Sequence, residues 1–369
     1  MRVLIVSNLD SARPFGQYTR PFFLGRGLAE LGCEVGQVGV DCADVNYGPR
    51  WSVGRQSLPA LTRTTRLASR DFRPDVVYAH QNLPAAAALM VTARARVPVA
   101  ADFHALPSVE WAALAASSSD RRVVASSKAR QLQAAAAERI VARRSDAVVA
   151  AGAGLADAIQ VRLQPRQRPV TVPNGVPPEL LSSPAGEDPY LGGPSGLHAV
   201  ATIPAGASPA NDAALRFLSQ VAVSLRDDPH APSIHVLGTA DRRDLVGLRL
   251  EGFVPRIAPW LAHADVCLLP YTSDVPLFGG ARNKLLEYLA LGRSLVTTDE
   301  GLRGFEEARA WDGVHIAPYD PGAFGRAIVA AAVSGASARL GRRESRSKLS
   351  WDRGAEQVYE VLSRLVDAD

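Results

Sequence analysis

The chain has 369 residues, long for one domain and comfortable for two, and its 47% hydrophobic and 21% charged content excludes a disordered chain. Its 41 basic and 37 acidic residues leave a formal charge of +4, but the basic residues are not interleaved with aromatics or set in a recognised motif, which argues against nucleic acid as a partner. No apolar run is long enough to span a membrane, MRVLIVSNLD turns polar too soon for a signal peptide, and Cys33, Cys42 and Cys267 lack metal spacing, as expected of buried thiols in a reducing cytoplasm.

In chain order, strands are expected at residues 2–7, 34–40, 76–79, 97–103, 147–150 and 170–172. Helices are expected at 21–31, ended by Gly32, and at 126–144, an alanine-rich run. This alternation predicts an α/β fold with a doubly wound parallel sheet. Residues 181–196 are dense in Pro, Gly and Ser and read as a linker. The alternation then repeats. Strands are expected at 198–202, 233–237, 248–251, 265–269, 294–298 and 313–316, and helices at 211–225, 257–262, 283–291, 321–332 and 355–365. The expected division is an N-terminal Rossmann-like domain over 1–180, the linker 181–196, a C-terminal Rossmann-like domain over 197–350, and a final helical segment 351–369.

Much of the positive charge lies in the first half, with Arg121, Arg122, Lys128, Arg130, Arg139, Arg143 and Arg144 in or beside one expected helix. Two readings stay open: a solvated face in an arginine-rich proteome, or a surface for an anionic membrane or acceptor. Abundant alanine and arginine point to a high-GC bacterial source.

The stretch from Gly279 to Gly292, GGARNKLLEYLALG, carries the most chemistry. A strand ending in Pro270 precedes it, and Leu285, Leu286 and Leu289 share one side of the helix that Gly292 caps. A helix start offers free N–H groups and a positive dipole end, which suits phosphate. Gly279 and Gly280 allow close approach, Arg282 and Lys284 add charge beside Asn283, and Glu287 stands where a carboxylate can accept from two ribose hydroxyls. Together these suggest a nucleoside diphosphate site. The alternative is a surface Lys–Glu pair and a plain glycine loop.

This stretch, continued through Thr298, resembles the donor signature of family 4 (group 1) glycosyltransferases, in the subgroup with a G-x-R-x-K-x-x-E run. Three other segments are similar to that subgroup: Val172-Pro173-Asn174-Gly175-Val176, the run from Pro209 to Leu218, and Glu251-Gly252-Phe253-Val254-Pro255 followed by Ala264-Asp265-Val266. The resemblance covers essentially the whole chain and is specific in its second half. It implies the GT-B fold, two Rossmann-like doubly wound domains with a cleft between them, and a last helix returning to the first domain. The implied activity is transfer of a sugar from a UDP-, dTDP- or GDP-sugar to a small-molecule or lipid-linked acceptor, with retention, without a metal or other cofactor.

Several residues gain a role from this resemblance. Gly16, in the loop after the first strand, would approach a phosphate or acceptor, although no G-x-G-x-x-G is present. Phe253 and Val254 join the donor site. His104, just after a strand, would line the space between acceptor and transferred sugar; Glu110 on the same loop is the other titratable candidate, and His80 is an acceptor-side contact or a loop residue. Two departures stand out. The segment 201–211 lacks the Arg and Lys that family members place after this strand, and Gly279 replaces the first glutamate of the common Glu-x7-Glu pair, which leaves the sugar and the anomeric outcome open. The readings kept beside a transferase are a non-hydrolysing nucleotide-sugar epimerase and a silent sugar-nucleotide-binding protein. The oligomeric state is not legible.

Overall fold

The computed structural model describes residues 1–11, 18–177, 180–181, 186–191, 196–205, 208–273, 282–334 and 348–367. The chain divides into two compact units. The first takes Met1–Gly175 and the segment from Ser350 onward, and the second runs between them from Val176 to Leu349.

The first unit holds β1 (Arg2–Val6), α1 (Thr19–Glu30), β2 (Glu34–Gly39), β3 (Arg50–Ser52), α2 (Leu58–Phe72), β4 (Val76–His80), α3 (Asn82–Thr92), β5 (Val99–Phe103), α4 (Pro107–Ser117), α5 (Arg121–Arg144), β6 (Ala147–Ala150), α6 (Ala153–Leu163) and β7 (Val170–Thr171). Its seven strands are all parallel, in the order β3-β2-β1-β4-β5-β6-β7. A parallel sheet is covered on both faces, so its strands read as continuous apolar runs. Alternate residues serve two cores: Leu4, Val6, Val77, Ala79 and Phe103 on one face, and Val3, Ile5, Val76, Tyr78 and Ala100 on the other.

The second unit holds β8 (His198–Thr202), α7 (Pro209–Ser224), β9 (Ser233–Leu237), β10 (Leu248–Gly252), α8 (Ala258–His263), β11 (Val266–Leu269), α9 (Asn283–Ala290), β12 (Ser294–Thr297), β13 (Val314–Ile316) and α10 (Pro321–Ser334), with two short 3-10 turns at Glu300–Leu302 and Glu306–Ala310. Its six parallel strands run β10-β9-β8-β11-β12-β13. Both sheets reverse their winding beside their first strand, between β1 and β4 and between β8 and β11. Ligands of open α/β sheets bind beyond the carboxyl ends of the strands at such points.

The segment after Leu349 forms α11 (Trp351–Val366), whose apolar side joins the core beneath β1 and β4 through Trp351, Ala355, Val358 and Leu362. Phe23 of α1 stacks on Trp351, and Gly27 lies so close to Ala355 that an added Cβ would stand 2.5 Å from the Ala355 methyl.

The structure differs from the sequence reading in places. Strand β3 and helices α2, α3, α4 and α6 were not among the expected elements. The Pro/Gly-rich stretch 181–196 falls, where described, inside the second unit: Tyr190 is buried there and donates its hydroxyl to the Trp260 carbonyl at 2.8 Å. The units part instead at Gly175/Val176 and Leu349/Ser350. Gly292 closes α9 with φ +66°, as its position predicts.

Candidate functional site

In the first unit, the carboxyl ends of β4 and β5 bring a set of polar side chains into a mostly apolar sheet. The register pairs His80 with Asp102 across these strands. Asp102 is wholly buried and accepts from Arg20 Nε on both oxygens, at 2.9 and 3.2 Å, and from the Tyr78 hydroxyl. Arg20 reaches on from α1 to the Pro173 carbonyl at 3.3 Å and to Asn174 Oδ1 at 3.1 Å. One guanidinium thus ties α1, β5 and the loop after β7 together.

His104, just past β5, faces His80: its Nε2 lies 2.9 Å from His80 Nδ1. The electrostatics follow from burial and from the fixed Arg20 charge. Burial alone would raise Asp102, but Arg20, then His80 and His104, outweigh it and hold the carboxyl at about 2. Burial lowers both imidazoles against the pull of Asp102, His80 well below its ordinary value and His104 to about 4. At neutral pH the site therefore holds a carboxylate, a guanidinium and two neutral imidazoles. His80, Asp102 and His104 could offer metal-ligand atoms within 4.8 Å of one another, but the buried guanidinium on both Asp102 oxygens fits poorly with a cation there.

Directly after His80, Gln81 has φ +72° and ψ 168°, a region essentially reserved for glycine, and its backbone N–H donates to the Asp102 carbonyl at 2.7 Å. Such a conformation costs about 1–3 kcal/mol and concentrates at functional sites. Glu110 lies in the first turn of α4 with an exposed side chain and is not part of this cluster.

In the second unit, α9 starts beyond the carboxyl end of β11. Lys284 Nζ donates to the Tyr271 hydroxyl at 2.9 Å, that hydroxyl donates to Asn211 Oδ1 at 2.9 Å, and Asn211 Nδ2 donates to the Pro204 carbonyl at 3.1 Å. Tyr288, also on α9, accepts from the Thr202 backbone N–H at 2.7 Å. The chain of bonds holds the Lys284 ammonium toward the loop after β8, the segment whose sequence lacks cations.

Arg282 precedes α9 and packs over the Tyr271 ring at 4.5 Å, with its guanidinium bonded to the Glu300 carboxylate at 2.9 Å and to the Glu300 carbonyl. It is thus held by protein groups. Glu287 is different: its carboxyl has no hydrogen-bond partner among the described residues. Burial pushes it up to about 7, against the lowering influence of Lys284. Asn283 opens the helix and is partly buried. A cavity of about 380 Å³ adjoins this region, lined by Tyr271, Ser273, Thr298, Glu300, Arg303 and Tyr319 among others. Beyond β10, Phe253 is 71% exposed while Val254 packs against the core.

Of the sequence candidates, Arg282, Asn283, Lys284 and Glu287 share one helix start, and Phe253 and Val254 follow an edge strand of the same sheet. His104 joins His80 in the first unit. Gly16, Gly279 and Gly280 lie outside the described residues. Sequence reasoning gave no role to Arg20, Tyr78, Asp102, Tyr271, Asn211 or Glu300. The one local signal among them was an acid inside the apolar strand Val99–Phe103.

The family model described as "Glycosyl transferase 4-like domain" matches residues 3–175, and that described as "Glycosyl transferases group 1" matches residues 202–332. Among solved structures, sucrose-phosphate synthase from Thermosynechococcus elongatus superposes with a TM-score of 0.73 at 15% identity, covering 100% of this chain and 99% of that one. A glycosyltransferase from Rickettsia africae ESF-5 gives 0.70 at 13% identity, covering 100% and 99%. Anabaena HepE in complex with UDP-glucose gives 0.67 at 16% identity, covering 99% and 100%. No curated protein matches the chain. At such low identity the solved structures carry the fold alone. The two matched families lie one on each parallel-sheet unit, and on that basis the chain belongs to the group 1 glycosyltransferases, enzymes of the GT-B fold.

Proposed function

We propose that the enzyme moves a sugar from a nucleoside diphosphate sugar to a small-molecule or lipid-linked acceptor, with the donor held by the second unit and the acceptor by the first. The observation that carries this reading is the Lys284–Tyr271–Asn211 chain beside the Glu287 carboxyl, which has no hydrogen-bond partner among the described residues. A fixed ammonium at a helix start suits a diphosphate, and a carboxylate without protein partners suits ribose hydroxyls. Gly279, Gly280 and Asn283 complete the approach to the phosphates, and Gly16 the acceptor side. Phe253 offers an exposed ring for a nucleobase to stack on, with Val254 beside it. HepE, a structural neighbour, has been solved in complex with UDP and with UDP-glucose, which favours the uridine donors over dTDP- and GDP-sugars.

Departure of the diphosphate needs positive charge where negative charge develops, and Lys284 with the helix end supplies it without a metal. Retention of configuration is what the resemblance implies. In this reading His104 acts at the reacting centre, and Glu110 is the second candidate. The 24-residue α5 carries seven cations while Glu138, its one acid, turns inward to bond Ser108 at 2.8 and 2.5 Å; an anionic bilayer bearing a lipid-linked acceptor suits that face, as expected of a cytoplasmic bacterial enzyme.

Calorimetry with UDP, dTDP and GDP tests the donor site. One of them should bind, and Lys284→Ala and Glu287→Ala should each weaken it while staying folded; unchanged affinity in both would sink the assignment. His104→Ala should keep nucleotide binding and melting temperature but lose transfer. Epimerised sugar formed without acceptor would favour the epimerase reading instead.

A further inference from the structure

The facing nitrogens of His80 and His104 pose a question that the reading of His104 as a group at the reacting centre leaves open. Two neutral imidazoles 2.9 Å apart hold one proton between them, so one ring donates and the other accepts. Two observations assign the roles. His80 Nε2 is buried and has no hydrogen-bond partner among the described residues. If the His80 proton sat there, a buried N–H would be orphaned, which proteins seldom tolerate. The lone pair of His80 Nδ1 would then also lie 3.8 Å from an Asp102 carboxylate oxygen. With the proton on His80 Nδ1, both problems ease: the N–H donates to His104 Nε2, the carboxylate stabilises that N–H, and only an acceptor lone pair is left unpaired.

The rest of the surroundings point the same way. Asp102 lies slightly nearer to His80 Nδ1, at 3.8 Å, than to His104 Nε2, at 4.0 Å, and Arg20 and Tyr78 fix its oxygens there. The His80 ring packs edge-on against Tyr78 at 4.5 Å, and the backbone just beyond it is pinned by the Gln81 N–H bond to Asp102. The orientation of His80 is therefore set by buried neighbours on two strands.

We propose that His80 is a positioning residue that holds His104 in the Nδ1–H tautomer, so that His104 meets its ligand as a hydrogen-bond donor. His104 Nδ1 has no partner among the described residues and is the atom left for a ligand. The ligand atom that it recognises is an oxygen: a hydroxyl or phosphoryl oxygen of the sugar donor, or an acceptor oxygen already stripped of its proton. His104 does not take the proton of the acceptor hydroxyl, because its one basic nitrogen is used by His80. This inference rests on the placement of His104 in the functional site, but the tautomer itself is measurable without any turnover.

Long-range nitrogen–proton correlation spectra of the full chain, labelled with 15N-histidine, read the tautomer directly, with the His104 signals identified by their loss in His104→Ala. The wild type should show His104 protonated on Nδ1 and bonded at Nε2, and His80 protonated on Nδ1. His80→Asn keeps a donor near the same place and should retain the His104 pattern. His80→Phe removes it and should release His104 into a mixture of tautomers without changing UDP affinity in the second unit. A wild-type His104 protonated on Nε2, or a pattern unchanged in folded His80→Phe, overturns the proposal. So does a zinc-dependent rise in wild-type melting temperature that disappears in His104→Ala, which would make the facing nitrogens a ligand pair. Failure of the glycosyltransferase reading looks different: the tautomer pattern stands, and no nucleoside diphosphate binds.

Discussion

Glu300 holds Arg282 on one carboxylate oxygen and Arg303 on the other, each at 2.9 Å. The Arg282 side chain is only 11% exposed, and its charge is already answered within the protein. Arg282→Ala should therefore reduce stability more than nucleotide binding, by about 3 kcal/mol for loss of one partner of a buried pair. Urea unfolding and UDP calorimetry on the same variant separate the two. A stable protein that has lost UDP affinity would return Arg282 to the diphosphate.

Lys284 is the opposite case, since its one hydrogen bond among the described residues goes to the Tyr271 hydroxyl. Lys284→Ala should weaken UDP by about 1.5–3 kcal/mol, the range for a bond to a charged group. Tyr271→Phe keeps the ring beneath the two cations but drops the hydroxyl, and it should cost less. Equal losses in both variants would mean that Tyr271 itself touches the nucleotide.

The Glu287 carboxyl, lifted to about 7 by burial, makes a pH-dependent prediction. The folded protein keeps a proton there that the unfolded chain releases above its ordinary value near 4.5. Stability from this group is thus full at low pH and is lost as pH rises toward about 7. Glu287→Gln should match the wild type at pH 5 and exceed it at pH 8 by about 1–2 kcal/mol, after allowance for partial solvent contact. The same variant should bind UDP more weakly. Equal stability at both pH values would remove the buried carboxylate from the account.

Asp102 has the reverse sign. Its folded value of about 2 lies below the ordinary 3.8, so its stabilisation is present at neutral pH and is lost as pH falls through about 2. Arg20→Ala would strand this carboxylate in the sheet and should cost about 3–5 kcal/mol. Adding Asp102→Asn should recover part of that loss, which a double-mutant cycle would read. A fully additive pair would contradict the direct contact.

Strand positions were legible because parallel strands buried on both faces carry continuous apolar runs: residues 147–150, 198–202 and 233–237 match β6, β8 and β9 at both ends. Helix α3 was not, since NLPAAAALMVT has no polar face to reveal a helical period. Helix α4 has no buried residue at all, so its pattern carries no inward stripe. At the site, the cations of 282–287 were visible as a local run, whereas Arg20 and Asp102 stand 82 residues apart and meet only through the sheet order. Arg282 shows the limit of a motif: its charge was readable, but Glu300, brought to it by the chain beyond β12, was not.

Helix α11 belongs to the first unit but is encoded beyond the whole of the second. On the ribosome, the sheet of the first unit is complete long before the helix that covers Leu24, Leu28 and Tyr78. At ordinary translation speed the intervening segment takes about 10–35 s to make. During that time one apolar face of the nascent sheet stands uncovered, while the second unit can close on its own. The order of maturation is therefore the reverse of the order of synthesis, and the nascent N-terminal half is the natural client for a chaperone.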